Sequence, residues 1–372
     1  MNRRTFLMGT TALAGVTATT LGQAPAPAAG QAPAAPARGG GGGGRGRGGP
    51  PAVATPAKLA RIAIMTLNHS NIIKRPWNEA TPERTLNILD LPQYYVDVYG
   101  VRNIEFQAND LHQMPNTQSD IDVAYWRELR AKIDAAGSKA NQINIEIGTM
   151  AGMNPQTCKA EALSGEPRAL WLARGKKWVD AAGILGVTRL MHNQGALTDD
   201  SKAGVIALWK ELNDYARPKG ITISGETRGS GAPTAGQGGG GRGRGGAATG
   251  AAAATPPPPP PPACPPVQMS NQERLRHVYG ILVEATNAAN ATTNLDFGGD
   301  TRFHSQQELH DAIRAMMPRN SGSMHTRVSP TWDLGLAIKY AESIGYRGLY
   351  TIEVNDDAAV RIVYNAVLAN LP

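Results

Sequence analysis

The sequence predicts an α/β fold, and within that class a single closed (β/α)8 barrel. Three observations point there. From Arg61 onward, short β-branched runs alternate with helical segments through eight strand–helix units, the pattern of a parallel sheet. Once a leader and two low-complexity stretches are set aside, about 275 residues remain, close to the roughly 250 of a single eightfold barrel. Third, four side chains of metal-ligand type each sit at the end of one of four successive strands. A closed parallel ring brings such ends to one face.

Taken in order, Arg61–Met65 reads as strand one and Leu91–Tyr99 as a helix stopped by Gly100. Asn103–Gln107 is strand two. Asp120–Ala136 is a helix with Trp126, Leu129 and Ile133 on one face. Ile143–Gly148 is strand three, Pro167–Leu185 a helix and Thr188–Met191 strand four. Val205–Arg217 leads into strand five, Ile221–Glu226. Asn271–Ala285 is helical, Thr292–Asp296 is strand six, and Gln306–Met316 leads into strand seven, Ser321–His325. Leu334, Ala337, Ile338, Ala341 and Ile344 mark an amphipathic helix, and Leu349–Val354 is strand eight. Val360, Val363, Tyr364, Val367 and Leu368 mark the last helix, which Asp356 and Asp357 are expected to cap. The Trp residues at helical spacing are expected to pack.

The remainder falls outside the core. Residues 1–29 read as an export leader: Arg3-Arg4, then the mildly apolar run Met8–Leu21, too short and weak to anchor a membrane helix. The paired arginines resemble a twin-arginine signal, so the expected destination is the periplasm or beyond, reached through the twin-arginine export machinery. Residues 30–57 form an Ala/Pro/Gly/Arg linker, and 229–268 a Gly/Arg/Pro insert that interrupts the barrel domain, 58–372. Such composition buries too little apolar surface to offset chain entropy. Gly-Arg-Gly-Arg-Gly-Gly occurs in both, at Gly44–Gly49 and Gly241–Gly246, and reads as a solvated spacer. The Gly-x-Gly-x-x-Gly at Gly236–Gly241 has no strand before it or helix after it, so it is no phosphate loop. Cys158, in a polar loop, and Cys264, between prolines of the insert, are expected to be free, and without a CxxC pair a zinc–thiolate site is excluded.

Lys+Arg number 37 against 30 Asp+Glu, a formal net charge of +7. Seven arginines (Arg3, Arg4, Arg38, Arg45, Arg47, Arg242 and Arg244) lie in the leader, linker and insert, which hold no acid. The foldable part is therefore neutral, which argues against nucleic acid as a partner.

The four strand-end residues are Glu226, Asp296, His325 and Glu353. Three carboxylates and an imidazole brought together repel one another unless a divalent cation holds them.

These runs resemble the xylose isomerase-like TIM barrel family of sugar isomerases and epimerases. Tyr215–Glu226 is similar to its strand five, Asn294–Gly298 to its strand-six Leu-Asp motif, and Met324–Thr326 to its strand-seven His motif. Gly345–Glu353 resembles its strand-eight Gly-Tyr-x-Gly…Glu segment, and Ile104–Phe106 a common strand-two pattern. The resemblance implies that Glu226, Asp296, His325 and Glu353 bind one divalent metal ion (Mn, Mg, Zn or Co), with Glu226 and Glu353 also shuttling protons. That chemistry has a physical basis: a cation chelating carbonyl and hydroxyl oxygens stabilises an enediolate as it forms, and carboxylates on either side move the proton. Ala232, Gly299 and Thr331 stand where ketose epimerases carry a Glu, a His and an Arg, and Thr227-Arg228 replaces an Asn-His pair. These departures imply a substrate other than a simple free ketose.

His69 after strand one, Glu105 on strand two, His192 after strand four and Arg228 after strand five are expected to contact substrate. The insert springs from the same face and reads as a passive tether. The expected function is an exported, metal-dependent isomerase or epimerase of a small-molecule sugar, with a β-eliminating lyase or a non-catalytic sugar-binding barrel as alternatives. Stable membrane insertion is not expected, and homo-oligomerisation is left open.

Overall fold

The computed structural model describes residues 53–74, 84–111, 120–227, 264, 268–298 and 302–372. All of them belong to one compact unit, Pro50–Pro372. The leader, most of the linker and the insert except residues 264 and 268 lie outside the described residues, as do Arg228, Ala232 and Gly299.

Ten strands follow in chain order: β1 Ile62–Met65, β2 Asn103–Gln107, β3 Lys139–Ile145, β4 Ala151–Asn154, β5 Lys159–Ala162, β6 Arg189–His192, β7 Thr222–Glu226, β8 Thr292–Asp296, β9 Asn320–Thr326 and β10 Leu349–Ile352. Eight close into a barrel in the order β1-β10-β9-β8-β7-β6-β3-β2, and every pairing is parallel. The helices are α1 Pro56–Leu59, α2 Leu91–Tyr99, α3 Val123–Ala135, α4 Gly165–Leu185, α5 Lys202–Ala216, α6 Asn271–Leu275, α7 Ile281–Ala289, α8 Gln306–Met316, α9 Leu334–Ser343 and α10 Asp357–Asn370. The expected (β/α)8 architecture is the observed one. No helix among the described residues is long and apolar enough to cross a membrane.

Strand alternation sorts side chains between two environments. Ile64, Ile104, Phe106, Ile143, Leu190, Ile223, Leu295, Met324, Tyr350 and Ile352 are buried in the layer beneath the helices, where Trp126, Trp178 and Trp209 are also fully buried. The residues between them face the lumen and are mostly polar, with Ala63, Met65 and Met191 the apolar members. Ser323 Oγ lies 2.6 Å from Thr351 Oγ1, Ser224 Oγ lies 2.7 Å from Thr292 Oγ1, and Gln142 Nε2 reaches across the ring to Asn294 Oδ1 at 3.4 Å. Burying such groups costs free energy unless they bond one another, and these do.

Local chemistry ends the elements where the sequence places the ends. Gly100 terminates α2 with φ 68°, a left-handed conformation that other residues adopt only under strain. Asp356 caps α10 by accepting from the Ala359 amide, as expected. Ser270 and Glu273 form a reciprocal capping box on α6.

Four expectations are corrected. The helix foreseen over Asn271–Ala285 is broken by a wide π turn at Arg276–Gly280, where Arg276 swings out to pair with Asp199 and Glu284. The linker ends earlier than residue 57, because Pro56 already opens α1. β4 and β5, unforeseen, form an antiparallel hairpin after β3. The cysteines are paired rather than free: Cys158, at the hairpin turn, is disulfide-bonded to Cys264, with Cα atoms 5.5 Å apart.

Candidate metal centre

Register assembles the site. Asp296 pairs with His325 across β8 and β9, Glu226 lies opposite Asn294 across β7 and β8, and the amide of Glu353, just past β10, donates to Thr326 of β9. One ligand atom from each of Glu226, Asp296, His325 and Glu353 lies within 4.8 Å of the others. The structure thus brings together the four residues that the sequence singled out.

His325 is the hub. Its Nδ1 lies 2.8 Å from Glu226 Oε1 and 2.9 Å from Glu353 Oε2, and its Nε2 lies 2.7 Å from Glu105 Oε1. Gln142 Nε2 donates to that same Glu105 oxygen at 3.0 Å. Burial opposes a charge on the imidazole, but Glu105 and Glu353 outweigh it and hold the pKa well above the ordinary histidine value. The ring is then a cation among carboxylates.

The two glutamates sit in unlike surroundings. Burial pushes the Glu226 carboxyl up, the bond to His325 opposes this, and the nearby charges of Asp296 and Glu353 reinforce it. Burial would raise Glu353 too, but His325, Arg327 and Arg302 override it and hold Glu353 well below the usual carboxylate range. Arg327 Nη2 lies 3.2 Å from Glu353 Oε2 and 3.6 Å from Asp296 Oδ2, and Arg302 pairs with Asp296 Oδ2 directly.

Surrounding groups fix the ligands in place. The Gln194 side chain donates to the Glu226 carbonyl at 2.6 Å and accepts from its amide at 3.3 Å. Thr227 Oγ1 does the same for Asp296, at 2.8 Å and 3.0 Å, and the Gly298 amide donates to Asp296 Oδ1 at 2.6 Å. Asn68 donates to the Ile352 carbonyl at 2.8 Å and accepts from the Val354 amide at 2.6 Å, bracing the chain on both sides of Glu353.

The donor set suits a divalent cation: three carboxylates and one imidazole, held against mutual repulsion by the guanidiniums of Arg302 and Arg327 and, in the metal-free site, by the protonated His325 ring. With Nε2 engaged by Glu105, Nδ1 is the nitrogen that faces the carboxylates. A carboxylate behind the distal nitrogen is the usual support of a ligating histidine.

The other expected contacts lie elsewhere. Glu105 is 1% exposed and backs His325 instead of facing the barrel mouth. His192 has the strand parity of Leu190, so its ring is buried among helices. It accepts from Trp209 Nε1 at 2.6 Å and meets the Trp171 ring edge-on. His69 is turned away by the 3₁₀ turn Thr66–His69 and lies between the hydroxyls of Tyr95 (3.1 Å from Nδ1) and Tyr99 (3.3 Å from Nε2). Burial lowers its pKa against the pull of Asp357. Sequence reasoning passed over Arg302, Arg327, Gln142 and Gln194. A signal existed for Arg327: two residues past an inward-facing strand residue, a side chain points inward again.

No protein-family model and no curated protein sequence matches the chain. Solved structures do. A sugar phosphate isomerase/epimerase from Parabacteroides distasonis is similar with a TM-score of 0.51 at 13% identity, over 83% of this chain and 94% of that one. The 3-keto-D-glucoside 4-epimerase from E. coli gives 0.48 at 13% identity, over 83% and 97%. A xylose isomerase domain protein from Planctomyces limnophilus gives 0.46 at 16% identity, over 83% and 92%. At such identity the likeness is one of fold.

Proposed function

We propose that this chain is a divalent-metal-dependent sugar isomerase or epimerase that moves a proton between carbons next to a carbonyl through an enediolate. The observation that carries the reading is the convergence of Glu226, Asp296, His325 and Glu353 within 4.8 Å, with Glu105 behind the histidine. Those four would hold the cation, His325 through Nδ1. When bound, the cation draws charge from a carbonyl oxygen and makes the neighbouring C–H more acidic.

The protein groups supply the rest. β8 and β9 lie between the strands that carry Glu226 and Glu353, so a substrate seated between these two meets a carboxylate on either side. Glu226 and Glu353 would then face the reacting carbon from either side, one to take the proton and the other to return it. The names of the similar solved structures agree with this reaction class.

Export is part of the proposal. The Arg3-Arg4 leader supports it, and the Cys158–Cys264 pairing suits a compartment more oxidising than the cytoplasm.

The test joins metal analysis of the purified protein with solvent-deuterium uptake into candidate sugars, oxidised derivatives included. The expected result is one bound divalent ion per chain and metal-dependent exchange that falls by at least about a hundredfold in Glu226→Gln and in Glu353→Gln. Exchange left intact in Glu226→Gln ends the proton-transfer assignment. An unsaturated product marks a lyase, and sugar binding without exchange marks a binding protein.

A further inference from the structure

The proposed reaction gives Arg302 and Arg327 no contact with substrate, yet both reach the ligand carboxylates. Arg327 Nη2 lies 3.2 Å from Glu353 and 3.6 Å from Asp296, and Arg302 pairs with Asp296. Arg327 is the most exposed charge of the cluster, its side chain 27% exposed; Arg302 and Glu353 follow at 14%, and Glu105, Asp296 and His325 are sealed at 1% or less. A ligand entering the barrel reaches Arg327 before the sealed groups. Arg327 Nε, moreover, is buried and makes no hydrogen bond among the described residues, so this donor lacks an acceptor.

Charge gives the pair a purpose. In the metal-free site the guanidiniums pair with Asp296 and Glu353. A divalent cation would draw on the same two carboxylates, leaving the forks of Arg302 and Arg327 less engaged and able to meet an entering ligand. Guanidinium forks match carboxylate oxygens in pairs.

From this arrangement, and resting on the isomerase reading above, we infer that the substrate is a sugar acid whose carboxylate sits next to the reacting carbons. Arg327 and Arg302 grip that carboxylate once the metal is bound. Position selects the adjacent carbon. A group held by Arg327 sits next to the guanidinium that lies 3.2 Å from Glu353, a proton-transferring carboxylate, and so too close to the metal ligands for an anion at the far end of a sugar chain. Both arginines are specificity residues in this account.

Calorimetric titration of the manganese-loaded protein with three ligands tests it: 2-keto-D-gluconate, D-fructose and D-fructose 6-phosphate. They offer a carboxylate beside the ketone, no anion and a distal anion. The expected result is at least about tenfold tighter binding of 2-keto-D-gluconate than of fructose. That preference should be absent without manganese, and by linkage the sugar acid should tighten manganese binding by the same factor. Arg327→Met and Arg302→Met should each shrink the preference to below about threefold, and Arg327→Lys should restore part of it. Manganese affinity and the thermal transition of each variant show that the site and fold persist. If one arginine variant does not fold, the other carries the test.

Equal or tighter binding of fructose overturns the inference, as does absence of 2-keto-D-gluconate binding. Tighter binding of fructose 6-phosphate than of 2-keto-D-gluconate overturns it in favour of a distal phosphate. An acid preference unmoved by either arginine substitution also overturns it. The outcome separates from that of the isomerase reading: an arginine-dependent acid preference with no deuterium exchange into any of the three ligands sinks the isomerase reading alone, whereas exchange into fructose with no acid preference spares it and sinks this inference.

Discussion

Glu105 Oε1 lies 2.7 Å from Nε2 of His325, on the far side of the ring from Glu226 and Glu353. The contact spans the barrel from β2 to β9, and it assigns the two ring nitrogens different tasks. Nε2–H is spent on Glu105, so Nδ1 alone is available to a metal.

Removing that support should loosen the metal without unfolding the barrel. Glu105→Ala is expected to weaken manganese or zinc binding by about 10–100-fold, with a smaller loss for Glu105→Gln, whose amide oxygen still accepts from Nε2. Titration with a competing chelator measures it. Unchanged affinity in both variants would show that the contact does not tune the ligand.

A metal ligated by His325 would compete with the proton for the ring. Its folded-state pKa is raised, so the stability it contributes to the metal-free protein is complete below the unfolded value of about 6.5 and is lost as pH rises through the raised value. The metal-free protein should therefore melt at progressively lower temperature as pH climbs above neutrality. Metal affinity should instead climb with pH, because binding expels the imidazole proton. Thermal melts and metal titrations across pH 6 to about 9 check both signs. A pH-independent affinity would place the ligating nitrogen elsewhere.

Gly225 sits beside Glu226 with its missing side chain aimed at the helices. A Cβ there would come within 2.5 Å of Trp209 Cζ2 and 2.9 Å of Leu282 Cδ1. Gly225→Ala should cost about 1–3 kcal/mol through overpacking. Because it pushes on the residue adjoining a ligand, metal affinity should fall as well. Denaturant unfolding and metal titration report the two effects, and a neutral outcome in both would mean that Trp209 has room to yield.

The disulfide joins residues 106 positions apart. Breaking it with Cys158→Ser should cost about 2–4 kcal/mol, chiefly by freeing the unfolded chain. A thiol assay on the unfolded, unreduced protein should find no free cysteine, and two after reduction. Two free thiols before reduction would refute the pairing.

Much of this was legible in the residues, and the failures have physical reasons. Strand periodicity and the end-of-strand positions of Glu226, Asp296, His325 and Glu353 were enough to foresee the cluster, because a closed parallel ring leaves such ends only one place to go. His192 was misread because strand four was drawn one residue short. Its outward parity with Leu190 was thereby lost. His69 was misread because a 3₁₀ turn rotates side chains unlike an extended loop. The hairpin of Ala151–Asn154 and Lys159–Ala162 carries Gly152 and charged residues in four-residue strands, too short for alternation to register. Glu105 showed its strand but not its partner, since what lies across a barrel from a given residue is set by the stagger of the strands.

The double bond from Gln194 to the main chain of Glu226 has a further consequence. A residue gripped at both its amide and its carbonyl cannot slide along the barrel axis to make good a change in side-chain length. Aspartate at position 226 would keep its charge yet stop short of the other three donors. At this spot reach counts for as much as chemistry, and the length of one side chain, not the adaptability of a loop, would set the size of an ion held there.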